Sequence, residues 1–559
     1  MQALRRHLAR SGAAFGSVAR SRDLRLLCLA LTGSCVGHWS YVVAVSVYAY
    51  HAGGARAVAV VWLVRMIPAA IASPFSSLLG DRFSRVAVLV VTDLVRATLM
   101  LAAAAAIWSD ASQAVVYSLA ALVSLAETPA EPAFAGLLPQ LAATPAELTA
   151  ANVAVSAIES VGFFAGPALG GLVLAVAGPP SAIVVTSGLV LWSAALTSRI
   201  RRVPAATTGF DVGAVVDEVG AGVRAIRRDR MLTPLVGLLT ATTLVDGALE
   251  VFVVVISLET IGLGNAGVGY LNAAFGAGAL AGALVSTLLV GTRRLSIPFV
   301  GGVLLWGTPI ALLAAVSTPA AAIALLALVG LGNTFFDVAG TTLVQRAVPD
   351  DVLSRVFGVM QSLWLAAIGI GAAIAPALIS AIGIRPALVA TGLFLPTLVL
   401  LLGRRLVDID SQAAAPERTR IELLQGMSLF APLPTLTLER LALRLVPLDF
   451  RAGDVIIREG EPGDRFYAIA TGTVDVTTHG RFVASLGPGD YIGEIALLKD
   501  VPRTATVTAR SPVKSFALNR AHFLTALSGS STATRIADET TGLRLAGLRR
   551  AQRKSRFGI

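Results

Sequence analysis

The sequence predicts two structural classes in one chain: an all-α membrane bundle of twelve transmembrane helices in two six-helix halves, then a soluble β-barrel or jelly roll with flanking helices. Three observations carry this. The 559 residues are 55% hydrophobic and only 14% charged, with a mean hydropathy of +0.76, too apolar for an ordinary soluble chain. Apolar runs of about 20 residues, the length of a spanning helix, recur as far as Arg405. After Arg405 the composition turns abruptly polar, and short β-rich runs punctuated by glycine take over.

Candidate spans begin near Leu24, Val58, Val86, Gln113, Leu148 and Ser181, then near Leu232, Val268, Ser296, Ala320, Val352 and Ala387. They divide the chain into a basic N-terminus (1–23), a first half (24–198), a central loop (199–231) and a second half (232–406). The flank before the first span carries Arg5, Arg6, Arg10, Arg20, Arg22 and Arg25. It resembles the start of a secretion signal, but the apolar run after it is too long and no clear cleavage site follows. Arginines recur in alternate loops, at Arg82 and Arg85, between Arg199 and Arg230, at Arg293 and Arg294, and at Arg404 and Arg405. The positive-inside rule then puts both termini and the soluble domain on the cytoplasmic side of a cell membrane. The net charge of +11 is accounted for by this topology, so nucleic acid is not expected as a partner and the lipid bilayer is.

Cys28 and Cys35, the two cysteines, sit seven residues apart in the first span. That spacing separates them by about 10.5 Å along one helix face, too far to bridge. No metal-ligand cluster and no catalytic constellation is visible, so neither a metal nor an enzymatic activity is expected. The near absence of lysine points to a GC-rich bacterial genome.

The membrane region repeats internally. FAGLLPQLAATPAELTAANVAVSAIESVGFFAGPALGGLV, around the fourth and fifth spans, aligns with VAGTTLVQRAVPDDVLSRVFGVMQSLWLAAIGIGAAIAPALI, around the tenth and eleventh. Paired halves of this kind mark secondary transporters, in which two bundles rock about a central site. Gly80, Asp81, Arg82 and Arg85, in SLLGDRFSRV, resemble the loop motif of the major facilitator superfamily, and the resemblance extends over roughly residues 20 to 406. A carboxylate and two guanidinium groups at a cytoplasmic helix end can pair across the halves and hold the inward gate shut. Asp93 and Arg96, one helix further on, are expected to join that network. The equivalent second-half loop, GTRRLS, keeps its arginines but has no acid, so a matching gate there is not expected.

In the fifth span Gly162, Gly166, Pro167, Gly170 and Gly171 follow GxxxGPxxGG, which looks like the motif of facilitator-family antiporters and implies export of small molecules. Small residues at this spacing let helices approach closely, and the proline bends the span. Ionisable residues inside spans are costly in lipid and should face the interior. Asp246 and Glu250 lie at i and i+4 in the seventh span, so both carboxyls share one face, which suits proton antiport or a cationic substrate. Arg65, Glu159 and His38 are further coupling or substrate candidates, with Glu127, Glu131 and Asp337 nearer the ends of their spans.

Residues 407–420 read as a polar linker with a flexible reach of about 20 Å. From 421 to 530, runs such as DVIIRE, RFYAIA, TVDVTT and RFVASL alternate with glycine turns, as in a small barrel or jelly roll. The stretch resembles the cyclic nucleotide-binding domain, from LFAPL through RAGDVIIREGEPGDRFYAIATGTVDV to the cassette GEIALLKDVPRTATV, Gly493 to Val507. Gly493 lets the backbone approach a ligand, and a short helix from Glu494 through Ile495 directs N–H groups at a phosphate. The resemblance implies that Glu494 accepts from a ribose hydroxyl and that Arg503 pairs with the cyclic phosphate. Ala496 and Ala505 leave room for the sugar and phosphate. Thr504 bears on the base without deciding between cAMP and cGMP. The tail, 531–559, reads equally as a basic helix that lids the base or lies on anionic lipid, or as a solvated segment.

Together these resemblances imply an ion- or proton-coupled exporter of small molecules regulated by cytosolic cAMP or cGMP. The alternatives are a membrane-anchored cyclic nucleotide receptor with little transport, and a constitutive exporter with an inert module.

Overall fold

The computed structural model describes residues 20–76, 79, 82–142, 145–201, 212–228, 232–286, 296–348, 350–412, 418–433, 435–528, 533, 535–542 and 544–546. The chain forms two compact units that meet in sequence at residues 413/414.

Nine helices among the described residues are long and apolar enough to cross a membrane. Two of them carry two spans each, because glycine breaks them. α1 (Arg22–Ala72) loses helical geometry at Gly53 and Gly54, the latter at φ +64°, a left-handed conformation that a side chain would oppose. α5 (Pro145–Thr197) breaks at Gly178, φ +75°, just before Pro179 and Pro180. The third span is α2 (Arg85–Trp108). The fourth divides into α3 (Gln113–Glu127) and α4 (Ala130–Leu141) around Thr128 and Pro129, where the proline removes a helix hydrogen bond.

The second half follows as α7 (Leu232–Val255), α8 (Gly264–Ser286), α9 (Ser296–Leu312), α10 (Pro319–Ala347), α11 (Asp350–Ile382) and α12 (Ile384–Gln412). Twelve spans result, in the predicted order. Their shared core runs through both halves, from Tyr41 and Trp62 to Phe252 and Trp306.

Two expectations about connections change. The central loop contains a helix, α6 (Val212–Arg228), because Val215, Val219 and Ile226 fall on one face and bury against the membrane unit, Val219 and Ile226 packing on its core. The polar linker expected from 407 is helical through Gln412, as a continuation of α12.

The second unit is built from α13 (Arg418–Gly426), α14 (Thr435–Arg444), eight strands, α15 (Glu494–Lys499) and α16 (Arg520–Ser528). With β1 at Val446–Phe450, β2 at Val455–Ile457, β3 at Arg465–Thr471, β4 at Val474–Thr478, β5 at Arg481–Leu486, β6 at Tyr491–Ile492, β7 at Thr506–Ala509 and β8 at Val513–Asn519, two antiparallel four-stranded sheets, in order β1-β8-β3-β6 and β2-β7-β4-β5, form the roll. In the first, β3 (Arg465–Thr471) pairs with both β8 (Val513–Asn519) and β6 (Tyr491–Ile492), Tyr467 lying opposite Ala517 and Ile492. In the second, β4 (Val474–Thr478) pairs with β7 (Thr506–Ala509). Ile457, Ile469, Val474 and Val507 fill the space between the sheets. The stacked rings of Phe466 and Phe523, 4.9 Å apart, join helix α16 to the sheet in a second apolar cluster. The strand bounds place α15 as the single crossover between β6 and β7, which sets the position of the pocket below.

Candidate functional sites

The pocket of the second unit lies where α15 starts. Gly493 takes φ +89° to end β6 and cap α15, and a Cβ there would lie 2.5 Å from Arg503 Nη1 and 2.9 Å from the Arg465 carbonyl. Only glycine fits that conformation and that space. The cavity beside it measures about 240 Å³ and is walled by Val476, Val483, Leu486 and Ile495, with Gly493, Glu494, Ala496, Arg503, Thr504 and Ala505 around it. All seven residues expected from the cassette therefore meet in one concave, mostly apolar site.

Arg503 is 6% exposed. Its Nη1 donates to the Gly493 carbonyl at 2.9 Å and its Nη2 to the Arg465 carbonyl at 2.7 Å, with Asp464 Oδ1 3.5 Å away. Its backbone is clamped as well, by bonds with Glu461 and Gly460 at 2.8 Å each. Burial draws the guanidinium below its ordinary pKa, while Tyr467, Asp464 and Glu494 favour its charge. A fixed fork of this kind is preorganised for an anion.

Glu494 is 2% exposed, and burial lifts its carboxyl above the usual carboxylate range in spite of nearby cations. The first of those cations was not picked out from the sequence. Arg544, from the C-terminal tail, donates through Nη1 to Glu494 Oε1 at 2.7 Å and to the Tyr491 carbonyl at 2.9 Å. Its guanidinium also lies 4.4 Å from the centre of the Tyr491 ring, and Leu545 packs against Ile495 and Ala505. The tail thus reaches the pocket and occupies the carboxylate expected for a ribose. A basic helix near the end was the only signal for it.

The membrane unit holds a second cavity, of about 730 Å³, between the halves. His38, Arg65, Glu127, Glu131, Asp246, Glu250 and Asp337 all line it, so the intramembrane candidates converge there with one exception. Glu159 faces a smaller cavity of about 390 Å³ shared with Asp93 and Arg96. Arg65 is 1% exposed; its Nε donates to Ser124 Oγ at 3.0 Å and its guanidinium sits 5.1 Å from the Trp62 ring.

The described members of the expected gating network do not come together. Gly80 and Asp81 lie outside the described residues. Arg82 is exposed, and Arg85 Nη1 donates to the Gly136 carbonyl at 2.6 Å, within its own half. Asp93 and Arg96 are buried deeper in the same half: Arg96 Nη2 lies 2.7 Å from Glu127 Oε1 and Nη1 3.2 Å from Asp93 Oδ1. His38 Nδ1 is 2.9 Å from Glu127, and Ser193 donates to Asp93 at 2.7 Å. The reason is distance along the helix. Asp93 and Arg96 are two to three turns from Arg85 and point into the half, where Glu127 offers a buried counter-charge. Polar contacts between the halves occur elsewhere: the Tyr50 hydroxyl donates to Glu259, and His51 Nε2 is 2.7 Å from Asn265 Oδ1.

The fifth-span glycines serve close packing. Cβ atoms on Gly162 and Gly166 would lie 2.7 Å and 2.5 Å from Cys35 and Trp39 of the first span, one on Gly170 would lie 3.1 Å from the Ser40 carbonyl, and one on Gly171 2.9 Å from Gly269 of the eighth. Ser40 Oγ donates to the Gly166 carbonyl at 2.6 Å, and Pro167 follows inside the same helix.

Twelve spans around a cavity, followed by a β-roll with an anion-ready pocket, define a membrane transporter carrying a ligand-binding module. The chain belongs to the Major Facilitator Superfamily, whose family model matches residues 27–364 and 238–448, and it carries a Cyclic nucleotide-binding domain at 447–530. Over 110 residues it is 42% identical to a cAMP-dependent protein kinase regulatory subunit of Dictyostelium discoideum, a match covering 18% of this chain and 34% of that protein. The chain thus spans about a third of the length of that curated relative. Among solved structures, a mutant of the nucleoside transporter NupG is 13% identical and superposes with a TM-score of 0.56 over 69% of this chain and 99% of that one, a likeness of fold alone. The cAMP-bound PfPKA-R fragment is 24% identical over 24% of this chain and 48% of its own, with a TM-score of 0.23.

Proposed function

We propose that the chain is a secondary active exporter of small molecules, ion- or proton-coupled, whose transport cycle is biased by cAMP or cGMP bound at its C-terminal module. The observation that carries this is the meeting of Glu494 and Arg503, both buried, in one apolar pocket fused to a facilitator bundle. Arg503 supplies a charge-assisted fork for the cyclic phosphate. Glu494 accepts from the ribose, which obliges the sugar to share or displace Arg544. The apolar wall of Val476, Val483 and Leu486 takes the purine face. The nucleotide acts as a regulatory ligand; binding and translocation are the chain's work, with no bond-making chemistry.

In the membrane unit, Asp246, Glu250 and Arg65 are the candidates for substrate and coupling-ion contact, since they face the cavity between two halves that rock. The close-packed glycine face of the fifth span supports the antiporter assignment. Arginine-rich alternate loops support a cytoplasmic position for both termini and the module. Coupling of about 1 to 3 kcal/mol between nucleotide and transport equilibria is the size expected of such a switch. The test is flux through proteoliposomes titrated with cAMP and cGMP: nucleotide that binds but leaves flux unchanged refutes regulation, and absence of flux under every condition favours a receptor.

A further inference from the structure

We infer that the central cavity binds an organic cation of drug-like size with an aromatic or bulky apolar body and a hydrogen-bond acceptor. This deepens the exporter proposal and rests on it for the cavity's role as the transport site. Three independent features of the wall are complementary to such a molecule.

The first is charge. Glu127 is already ion-paired with Arg96 and hydrogen-bonded to His38, and Glu131 accepts from Gln361 of the eleventh span at 3.5 Å. Asp246 and Glu250 of the seventh span and Asp337 of the tenth remain. Asp246 is within electrostatic reach of both others, and none of the three has an ion-pair partner among the described residues. Arg65 is the one arginine in the wall among the described residues; its Nε donates to Ser124 and its guanidinium lies over the Trp62 and Tyr41 rings. Asp246, coupled to both other carboxyls, and Asp337 have no cation beside them among the described residues, and the single Arg65 guanidinium that acts on Glu250 leaves the wall with an excess of carboxyls over cations that a bound cation would balance.

The second is the aromatic lining. Trp39 and Phe163 meet edge to face at 4.3 Å, and Phe163 meets Phe275 at 5.4 Å, with Trp364 contributing from the eleventh span. Aromatic faces attract a desolvated cation and its apolar body. A cavity of about 730 Å³ falls in the range of drug-sized ligand sites, far larger than a metal ion needs, and no group of three ligands poised for a metal exists among the described residues.

The third is an unmet pair of donors. Trp62 and Arg65 line the cavity at 5% and 1% exposure, and the Trp62 Nε1 and one Arg65 Nη have no hydrogen-bond partner among the described residues. Buried donors left unpaired are costly and are normally satisfied. An acceptor on the ligand, a carbonyl or ether oxygen, satisfies them once these side chains turn toward the cavity, while its cationic end meets the carboxyls.

The test is equilibrium binding of rhodamine 6G and fluorescein, a cation and an anion on one xanthene scaffold, to the full chain in detergent, read by fluorescence anisotropy. Rhodamine 6G should bind at least about tenfold tighter than fluorescein. Asp337→Asn, and Asp246→Asn with Glu250→Gln, should each weaken it by about tenfold, with Asp337→Glu restoring it; Trp62→Phe, which keeps the ring and loses the N–H, should weaken it several-fold. Unchanged cyclic nucleotide binding and gel-filtration profile show that each variant is folded. Equal binding of the two dyes, or rhodamine 6G binding indifferent to all the carboxyl variants, overturns the assignment. Efflux from proteoliposomes separates the two levels. Preferred binding and export of fluorescein would leave the exporter standing and remove the cation, whereas tight rhodamine 6G binding without efflux would do the reverse.

Discussion

The two cavities are lined by the same kinds of groups, carboxylate and arginine side chains against an apolar wall, yet they are assembled in opposite ways. In the module, Gly493, Glu494, Arg503 and Ala505 come from one short crossover between two strands. In the membrane unit, Arg65, Glu127, Asp246 and Asp337 come from four different spans in two halves. The module completes its charges internally, with Arg503 on backbone carbonyls and Glu494 on Arg544, whereas the membrane cavity leaves Asp246, Glu250 and Asp337 without an ion pair among the described residues. A pocket whose charges are met can wait for a ligand as a switch. One whose charges are unmet draws its ligand in.

The largest effect should come from the module's arginine. Arg503→Ala should cost about 2 to 5 kcal/mol of cyclic nucleotide affinity, because an anion loses its buried partner; calorimetry on residues 414–559, which form their own compact unit, checks it, and unchanged binding would refute the pocket. Next is the internal completion of charge. Arg544→Ala should destabilise the module by about 1 to 3 kcal/mol by leaving Glu494 without its partner, and adding Glu494→Gln should recover most of the loss in denaturant melts. In the membrane unit, Gly166→Leu would drive a side chain into Trp39 and the Val36 carbonyl and should cost about 1 to 3 kcal/mol, seen as a lower thermal midpoint of the full chain.

The smallest effect is a pH dependence. Burial raises the Glu494 carboxyl in the folded module, so at neutral pH its ionised form opposes folding. As pH falls through the raised value toward the ordinary carboxylate pKa, the folded state takes up its proton first and gains stability. Below the ordinary value the unfolded chain is protonated too, and the gain stops growing. The wild-type module should therefore gain on Glu494→Gln over that window in parallel thermal melts; a constant difference would contradict it.

The contrast also explains what could be read in advance. Span order follows from apolar composition, which is local. The cassette was legible for the same reason: its residues are neighbours in the chain. Arg544 lies 50 residues beyond Glu494 in an ordinary basic stretch, and nothing local distinguishes it from Arg549 or Arg550. Asp93 and Arg96 meet Glu127 and Ser193 because their direction on the helix, not their spacing from Arg85, decides their partners. Trp62 and Asp337 become neighbours of one cavity only when the two halves close around it.

The most direct measurement is efflux from proteoliposomes holding the wild-type chain or Arg503→Ala, with and without saturating cAMP or cGMP. Regulated transport predicts that nucleotide changes wild-type flux by about 5-fold or more and leaves the Arg503→Ala protein unaffected. Nucleotide that binds the wild-type chain while both proteins transport at the same rate would contradict it.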